Sequence, residues 1–242
     1  YVSDFYNRII GHYEVPLTNP LRDYERGRVW RITYKGMKPR NFDISKDNAD
    51  QLMAVFNDPN LMVRMLAMSE MSDRLGKDAI EPLTTLLESG KATSLQKVHG
   101  LWVLYRLHAL PADLLTKAAQ DSDAMVRTHA MRMLAETNPW TDEYHQLALN
   151  GLKDSDALTR RCAADALGQH EDVSNVQPLM AMLESADPLD THLVYVAKMA
   201  LRNQLESPGS YAKLGELTPA QVNVIAKMSL AVPTAESSGF IL

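Results

Sequence analysis

The chain has 242 residues, 45% of them hydrophobic and 23% charged, which is enough apolar material for a sizeable core. Its formal net charge is −5, from 25 Lys and Arg against 30 Asp and Glu, and this balance argues against the basic face of a nucleic-acid binder. A single cysteine, Cys162, excludes an internal disulfide and any multi-cysteine metal site.

Up to Gly36 the sequence is aromatic, Arg-rich and punctuated by Pro and Gly. Residues 27–34 (GRVWRITY) alternate and are rich in β-branched and aromatic side chains, so they read as a strand, and residues 1–7 (YVSDFYN) read as another. Two strands alone are marginal and leave open edges. Residues 1–46 are therefore expected to be the end of an upstream β-rich domain and its linker. The chain begins in patterned sequence without Met, so residue 1 is not expected to be a biological N-terminus, and the lack of a visible signal peptide says nothing about export. Asp4, Tyr6, Asn7, Arg8, His12, Tyr13, Asp23 and Arg28 are the candidates for a face turned towards another domain. The competing role is to tie the last strand to the first helices.

From about Asp47 to the end the chain reads as helix after helix, and it repeats. Asp121, Arg127, Ala130 and Leu134 recur 33 positions later as Asp154, Arg160, Ala163 and Leu167. A further step of 33 lands on Asp187, Val196 and Ala200. Sixty-three positions back lie Asp58, Arg64, Ala67 and Met71, and the unit between has Lys97 in the Arg slot. Core positions in the second helix of each unit are His129, Ala130, Met133 and Leu134, then Cys162, Ala163, Ala166 and Leu167, then Tyr195, Val196, Met199 and Ala200. Their i, i+1, i+4, i+5 spacing puts them on one helical face. Capping-box patterns at Ser174–Gln177 and Thr218–Gln221, and Thr141 after Asn138-Pro139-Trp140, mark helix starts. The expected elements are helix pairs at 47–75, 78–108, 111–136, 141–169 and 174–205 and a last helix near 218–230, followed by a tail without an obvious capping helix. The most apolar run, residues 98–110, is broken by His99, Arg106 and His108 and is too short to cross a bilayer. One hairpin cannot bury its apolar face alone, so the fold class is all-α: a solenoid of stacked hairpins over residues 47–242, preceded by a short β segment.

The repeated unit resembles the HEAT repeat family. In that family an Asp in the turn and an Arg early in the second helix form a ladder between neighbours; here the matching residues are Asp58/Arg64, Asp121/Arg127 and Asp154/Arg160. Physically, the Asp can accept from exposed helix-start amides and the Arg can reach the next unit's Asp. The last unit has Leu193 in the Arg slot, so its ladder contact is expected to be absent or replaced. The same arginines are also the candidates for binding an anion.

The opening segment, DFYNRIIGHYEVPL followed by RGRVWRITYKG, resembles the propeller-exit segment of large exported bacterial proteins labelled membrane-bound dehydrogenases. Their order is a β-propeller, HEAT-like repeats and a c-type cytochrome domain. The resemblance implies a periplasmic or extracellular location and partners among other domains of the same polypeptide. It also implies haem c in a domain that this chain lacks, because no Cys-x-x-Cys-His is present.

Residue types for catalysis are sparse. No two of the seven histidines stand at i, i+3 or i+4, and no phosphate-cradling Gly-rich loop or Gly-x-Ser-x-Gly occurs. His99 and His129 hold equivalent repeat positions and read as packed residues with one hydrogen bond each. His170-Glu171 resembles one dyad of the HEAT-type di-iron hydroxylases, whose sites use several. Cys162 reads as a buried structural thiol, and most of the 13 Met residues read as core filler. No catalytic, cofactor or metal residue is assigned. The reading is a non-catalytic scaffold or interaction module of a larger exported oxidoreductase-like protein. The alternatives are a free-standing adaptor for a protein or peptide and, further off, a HEAT-fold enzyme such as a glycosylase-like protein or a hydroxylase.

Overall fold

The computed structural model describes residues 1–4, 15–36 and 42–242. The chain divides into two units, Tyr1–Asp43 and Ile44–Leu242.

In the first unit, β1 (Val2–Asp4) and β2 (Arg28–Trp30) pair antiparallel with Val2 opposite Trp30 and Asp4 opposite Arg28. Between them the backbone turns on side-chain hydrogen bonds: Asn19 accepts from the Leu21 amide, and Asp23 from those of Glu25 and Arg26. Arg22 donates from Nη2 to the Val15 carbonyl at 2.7 Å. Three residue pairs of ladder bury little, and Tyr1, Leu17, Tyr24, Val29, Ile32 and Tyr34 stay exposed.

The second unit is a stack of helical hairpins. The first helices of the pairs are α1 (Ala49–Val55), α3 (Ile80–Glu88), α5 (Ala112–Ala119), α7 (Asp142–Gly151) and α9 (Val176–Ser185). Their partners are α2 (Leu61–Ser69), α4 (Ser94–Arg106), α6 (Ala124–Glu136), α8 (Ala157–Gln169) and α10 (Thr191–Glu206). The five expected pairs are thus all present, and α2 runs on into a π turn at Glu70–Leu75. Second helices pack side by side in the order α2, α4, α6, α8, α10. Helix starts follow local chemistry. Asn48 and Thr93 form capping boxes with Gln51 and Gln96, and Asp123, Thr141, Asp156 and Asp190 each accept an N–H of the first turn.

Three expectations are corrected. Residues after 230 do not trail off: α11 (Pro219–Ser229), opened by the Thr218 capping box, is followed by α12 (Ala235–Ile241), which Thr234 caps and which packs on α11. Ser174 does not cap α9. Asp172 accepts from the Ser174 amide and opens a single 3-10 turn at Val173–Asn175, which runs straight into the helix. Lastly, the buried face of α10 is Leu193, Ala197, Ala200 and Leu201. These correspond to Thr159, Ala163, Ala166 and Leu167 at a spacing of 34, so exposed Tyr195 and half-buried Val196 and Met199 are not core. The cause is one extra residue in the last turn. Asp187-Pro188-Leu189-Asp190 stands where the two earlier turns have Asp121-Ser122-Asp123 and Asp154-Ser155-Asp156.

Small side chains let the stacked helices approach. Ala130 on α6, Ala163, Ala164 and Ala166 on α8 and Ala197 and Ala200 on α10 are fully buried, and Gly168 of α8 lies against Ala200 of α10. A Cβ at Gly151 would lie 2.7 Å from Met131 Sδ and 2.8 Å from Ala163 Cβ, so α7 meets α6 and α8 through a position that tolerates no side chain. Gly151→Ala is therefore expected to destabilise the fold by about 1–3 kcal/mol despite alanine's better helix propensity. Urea unfolding measures this, and an unchanged or raised midpoint would contradict the packing described.

Candidate functional site

The turns between paired helices form a ladder along one edge of the stack. In each of four turns an Asp side chain accepts the N–H two residues on: Asp58 from Asn60 (2.9 Å), Asp121 from Asp123 (2.9 Å), Asp154 from Asp156 (2.8 Å) and Asp187 from Leu189 (2.9 Å). Three arginines clamp the carbonyl six residues behind them through Nη1: Arg64 to Asp58 (2.6 Å), Arg127 to Asp121 (2.9 Å) and Arg160 to Asp154 (2.7 Å). The rest of the basic group then faces the next unit. Arg127 holds Asp154 bidentately, Nε at 2.7 Å and Nη2 at 2.8 Å, and Lys97 Nζ reaches Asp121 at 2.6 Å. Among the described residues no carboxylate occupies the corresponding place beyond Arg64, and its Nε donates instead to His99 Nε2 at 3.0 Å. Arg160 Nε and Nη2 make no contact with a carboxylate among the described residues.

The Arg127–Asp154 rung shifts both partners in matching directions. The hydrogen bond from Arg127, chiefly, holds Asp154 below the usual carboxylate range, and the same bond raises Arg127. Their side chains are only 15% and 12% exposed, so the pair is less screened than a surface bridge. A double-mutant cycle on Arg127→Met and Asp154→Asn should give a coupling of about 1–2 kcal/mol at pH 7. Because Asp154 is depressed, that coupling should be present above the ordinary Asp value and fade as pH falls through the folded one. A coupling that is zero at pH 7, or that grows on acidification, would refute the assignment.

A second feature is a groove lined by the second helices. Met62, Met65, Leu66 and Ser69 on α2 are matched, repeat by repeat, by Met125, Thr128, His129 and Arg132 on α6 and by Leu158, Arg161, Cys162 and Asp165 on α8. The spacing i, i+3, i+4, i+7 puts each set on one helical face. Between α6, α8 and α10 the groove encloses about 710 Å³, and Val196 and Met199 line its far wall. Met62, Met65, Leu66, Leu158 and Tyr195 are exposed.

Histidines on this face are engaged rather than free. With Arg64 donating to its Nε2, His99 donates from Nδ1 to Met68 Sδ at 2.8 Å. Burial, then the Arg64 guanidinium and His129, pushes His99 from 6.5 down to about 4. His129 Nδ1 accepts from Trp102 Nε1 at 3.0 Å, and burial followed by Arg132 lowers its pKa as well. Burial raises the Cys162 thiol, the opposite of what a nucleophile needs. Between pH 6.5 and about 4 the unfolded chain binds a proton that folded His99 refuses, so stability must fall as pH falls through that window. His99→Gln keeps an acceptor for Arg64 and removes the titration. Urea midpoints at pH 7 and 4.5 should converge in this variant relative to the parent, and parallel slopes would rule out His99 as the cause.

In the N-terminal unit Asp4 and Arg28 meet across the strand pair at 2.5 Å. Trp30 Nε1 donates to Asp4 at 3.2 Å, and the Arg28 guanidinium lies 4.9 Å from the centre of the Trp30 ring. Asp23 is elsewhere, bridged to Arg26 at 2.7 Å. Tyr6, Asn7, Arg8, His12 and Tyr13 lie outside the described residues. Sequence reasoning missed a polar cluster that joins α7, the turn between α8 and α9, and α10 around buried Asn175 and Gln204. His145 Nε2 donates to Asn175 (2.6 Å), Asn175 donates to Gln204 and to the His170 carbonyl (3.2 Å each), and Gln204 donates to the Leu167 carbonyl (2.8 Å). Trp140 stacks on His170 at 3.8 Å. The signal for it was Gln204, a polar residue in register with the buried stripe of α10. His170 itself donates from Nε2 to the Leu134 carbonyl, and Glu171 accepts from Ser207, so this dyad is committed to loop contacts. Among the described residues no three His, Cys, Asp or Glu side chains gather where they could hold a metal, and no helix is long and apolar enough to cross a membrane. One buried cysteine does not fit the two-thiol attachment of haem c.

Stacked hairpins, a turn ladder and a grooved second-helix face define an α-solenoid scaffold with a HEAT-like repeat region. The HEAT repeats family model matches residues 112–202, from the start of α5 into α10. No curated protein matches the chain. Among solved structures, a designed armadillo repeat protein aligns over 80% of this chain and 96% of its own at 17% identity, with a TM-score of 0.46.

Proposed function

We propose that this chain is a non-catalytic HEAT-repeat module of a larger exported oxidoreductase-like protein, acting in the periplasm or outside the cell. It holds a β-rich domain and a redox domain at a fixed separation, and any haem belongs to that other domain. The observation that carries this reading is the exposure of the N-terminal unit. Val29, Trp30, Ile32 and Tyr34 are 70%, 51%, 77% and 74% exposed on and just after a two-stranded ladder too small to stand alone. Such a surface calls for a covering domain. The resemblance of this segment to a propeller exit supplies the identity of that domain. Support for a non-catalytic role comes from the second unit, where His99, His129 and Cys162 are each satisfied by packing or by a structural hydrogen bond.

Hydroxyl-radical footprinting tests the reading. Trp30 should be labelled at least about tenfold more slowly in the full polypeptide than in the 242-residue chain, as expected for a residue that becomes buried. Equal labelling in both, or a reading frame without a Cys-x-x-Cys-His downstream, would defeat it. The second reading, a free-standing adaptor for a protein or peptide, draws on the exposed row Met62, Met65, Leu66, Leu158 and Tyr195.

A further inference from the structure

The ladder contains its own control. Arg127 and Arg160 stand at equivalent positions, each anchored through Nη1 to two carbonyls of its own turn: Asp121 and Ser122 at 2.9 and 3.1 Å, and Asp154 and Ser155 at 2.7 and 3.0 Å. That anchoring fixes the plane of the guanidinium and the direction of its remaining Nε and Nη2 hydrogens. For Arg127 those two hydrogens meet the carboxylate of Asp154. For Arg160 the matching residue is Asp187, and no ion pair joins them. The inserted residue of the last turn explains why. Asp154 lies two residues before its helix cap and is largely buried by Arg127, whereas Asp187 lies three before Asp190 and is exposed.

What stands beside Arg160 instead is a cavity of about 390 Å³. Lys153, Pro178, Ala181, Met182 and Leu149 line it together with Arg160. Lys153 has no ion-pair partner among the described residues, and both oxygens of Asp154 are already taken by Arg127, so the local balance is positive. The floor is apolar, with Met182 buried and Leu149 and Pro178 half-buried. A fork held in the geometry of a bidentate pair, a second cation and an apolar floor are the parts of a carboxylate receptor.

We infer that Arg160 and Lys153 form a docking site for an acidic side chain of a partner polypeptide, with the aliphatic neighbour of that residue seated on Met182 and Pro178. The partner carboxylate takes the place that Asp154 fills one rung earlier. This rests on the scaffold reading, since it names the chemistry of the partner, but not on which parent protein carries the chain.

The test uses the whole chain and NMR of the arginine Nε–H groups. The probe is a capped pentapeptide with a central glutamate flanked by leucines, run beside its glutamine counterpart and beside free acetate. The glutamate peptide should shift the Arg160 Nε–H resonance and leave that of Arg127 in place, and the glutamine peptide should bind at least about tenfold more weakly. Arg160→Lys keeps the charge but loses the fork, and should also weaken binding about tenfold. Deleting Leu189 restores a turn of the Asp58-Pro59-Asn60 kind, lets Asp187 close the rung and should abolish the peptide response while Arg160 remains. Four results overturn the inference: no shift at Arg160, equal shifts at Arg127, an acetate response matching that of the peptide at equal concentration, or undiminished binding after the deletion. None of these bears on Trp30 footprinting, so failure here and failure of the scaffold reading are told apart.

Discussion

Every second helix from α4 to α8 has another second helix on each flank, and this crowding governs the rest of the structure. A helix so placed cannot present large side chains on both sides without pushing its neighbours apart, so alanine and glycine accumulate at the seams. Large side chains such as Leu134 on α6 and Leu167 on α8 are fully buried among these small ones. Alanine seams bury little apolar area per residue. The stack therefore relies on its turns to fix the angle and offset from one unit to the next, and the turn ladder joins consecutive units at that edge.

Seen this way, the ladder is a set of basic groups with one fixed end and one variable end. The fixed end, Nη1 on the turn carbonyls, is the same for Arg64, Arg127 and Arg160. The variable end takes whatever the next unit offers: a neutral imidazole from His99 within α4 or a carboxylate from the turn residue Asp154. Matching a guanidinium to an imidazole has a consequence for the histidine, which must stay unprotonated to accept. Burial is the main cause of the depressed pKa of His99, and the ladder's Arg64 adds to it. Perturbed titration often marks catalytic sites. Here the shift comes from burial in the helix stack and, after it, from a structural arginine, so it reports repeat architecture.

Much of this was legible in the sequence because it is written in short-range chemistry. Asx and Thr caps, the Thr218–Gln221 capping box and the recurring Asp-x-Asp turn all act within a few residues, so pattern and structure coincide. What escaped notice depends on partners distant in sequence. Ser174 looks like a cap until Asp172 takes its amide, and the Asn175 side chain is drawn away by His145 and Gln204, 30 and 29 residues distant. The last hairpin was missed because α12 is short and polar, with Ser237 and Ser238 turned back onto carbonyls. The spacing error at α10 has a different origin. The 33-residue period holds from Asp154 to Asp187, and the insertion falls between that Asp and the cap. A period read from the turn residue therefore carries the wrong register into the helix that follows.

That insertion separates two jobs that one turn performs elsewhere. In the Asp154 turn a single short loop both caps the second helix and delivers a carboxylate to the preceding arginine, so helix register and ladder closure are locked together. With four residues instead of three, the last turn still caps α10 through Asp190, and Asp187 still accepts its local amide. Helix start and turn are thus preserved while the rung is released. A loop could lengthen without such selectivity, but a random lengthening would be as free to disturb the cap as the rung. The physical asymmetry is that capping needs one oxygen near its own chain, whereas the rung needs two oxygens placed against another unit's guanidinium. One added residue is enough to break the second condition and spare the first, which leaves the arginine of the preceding unit oriented, charged and open.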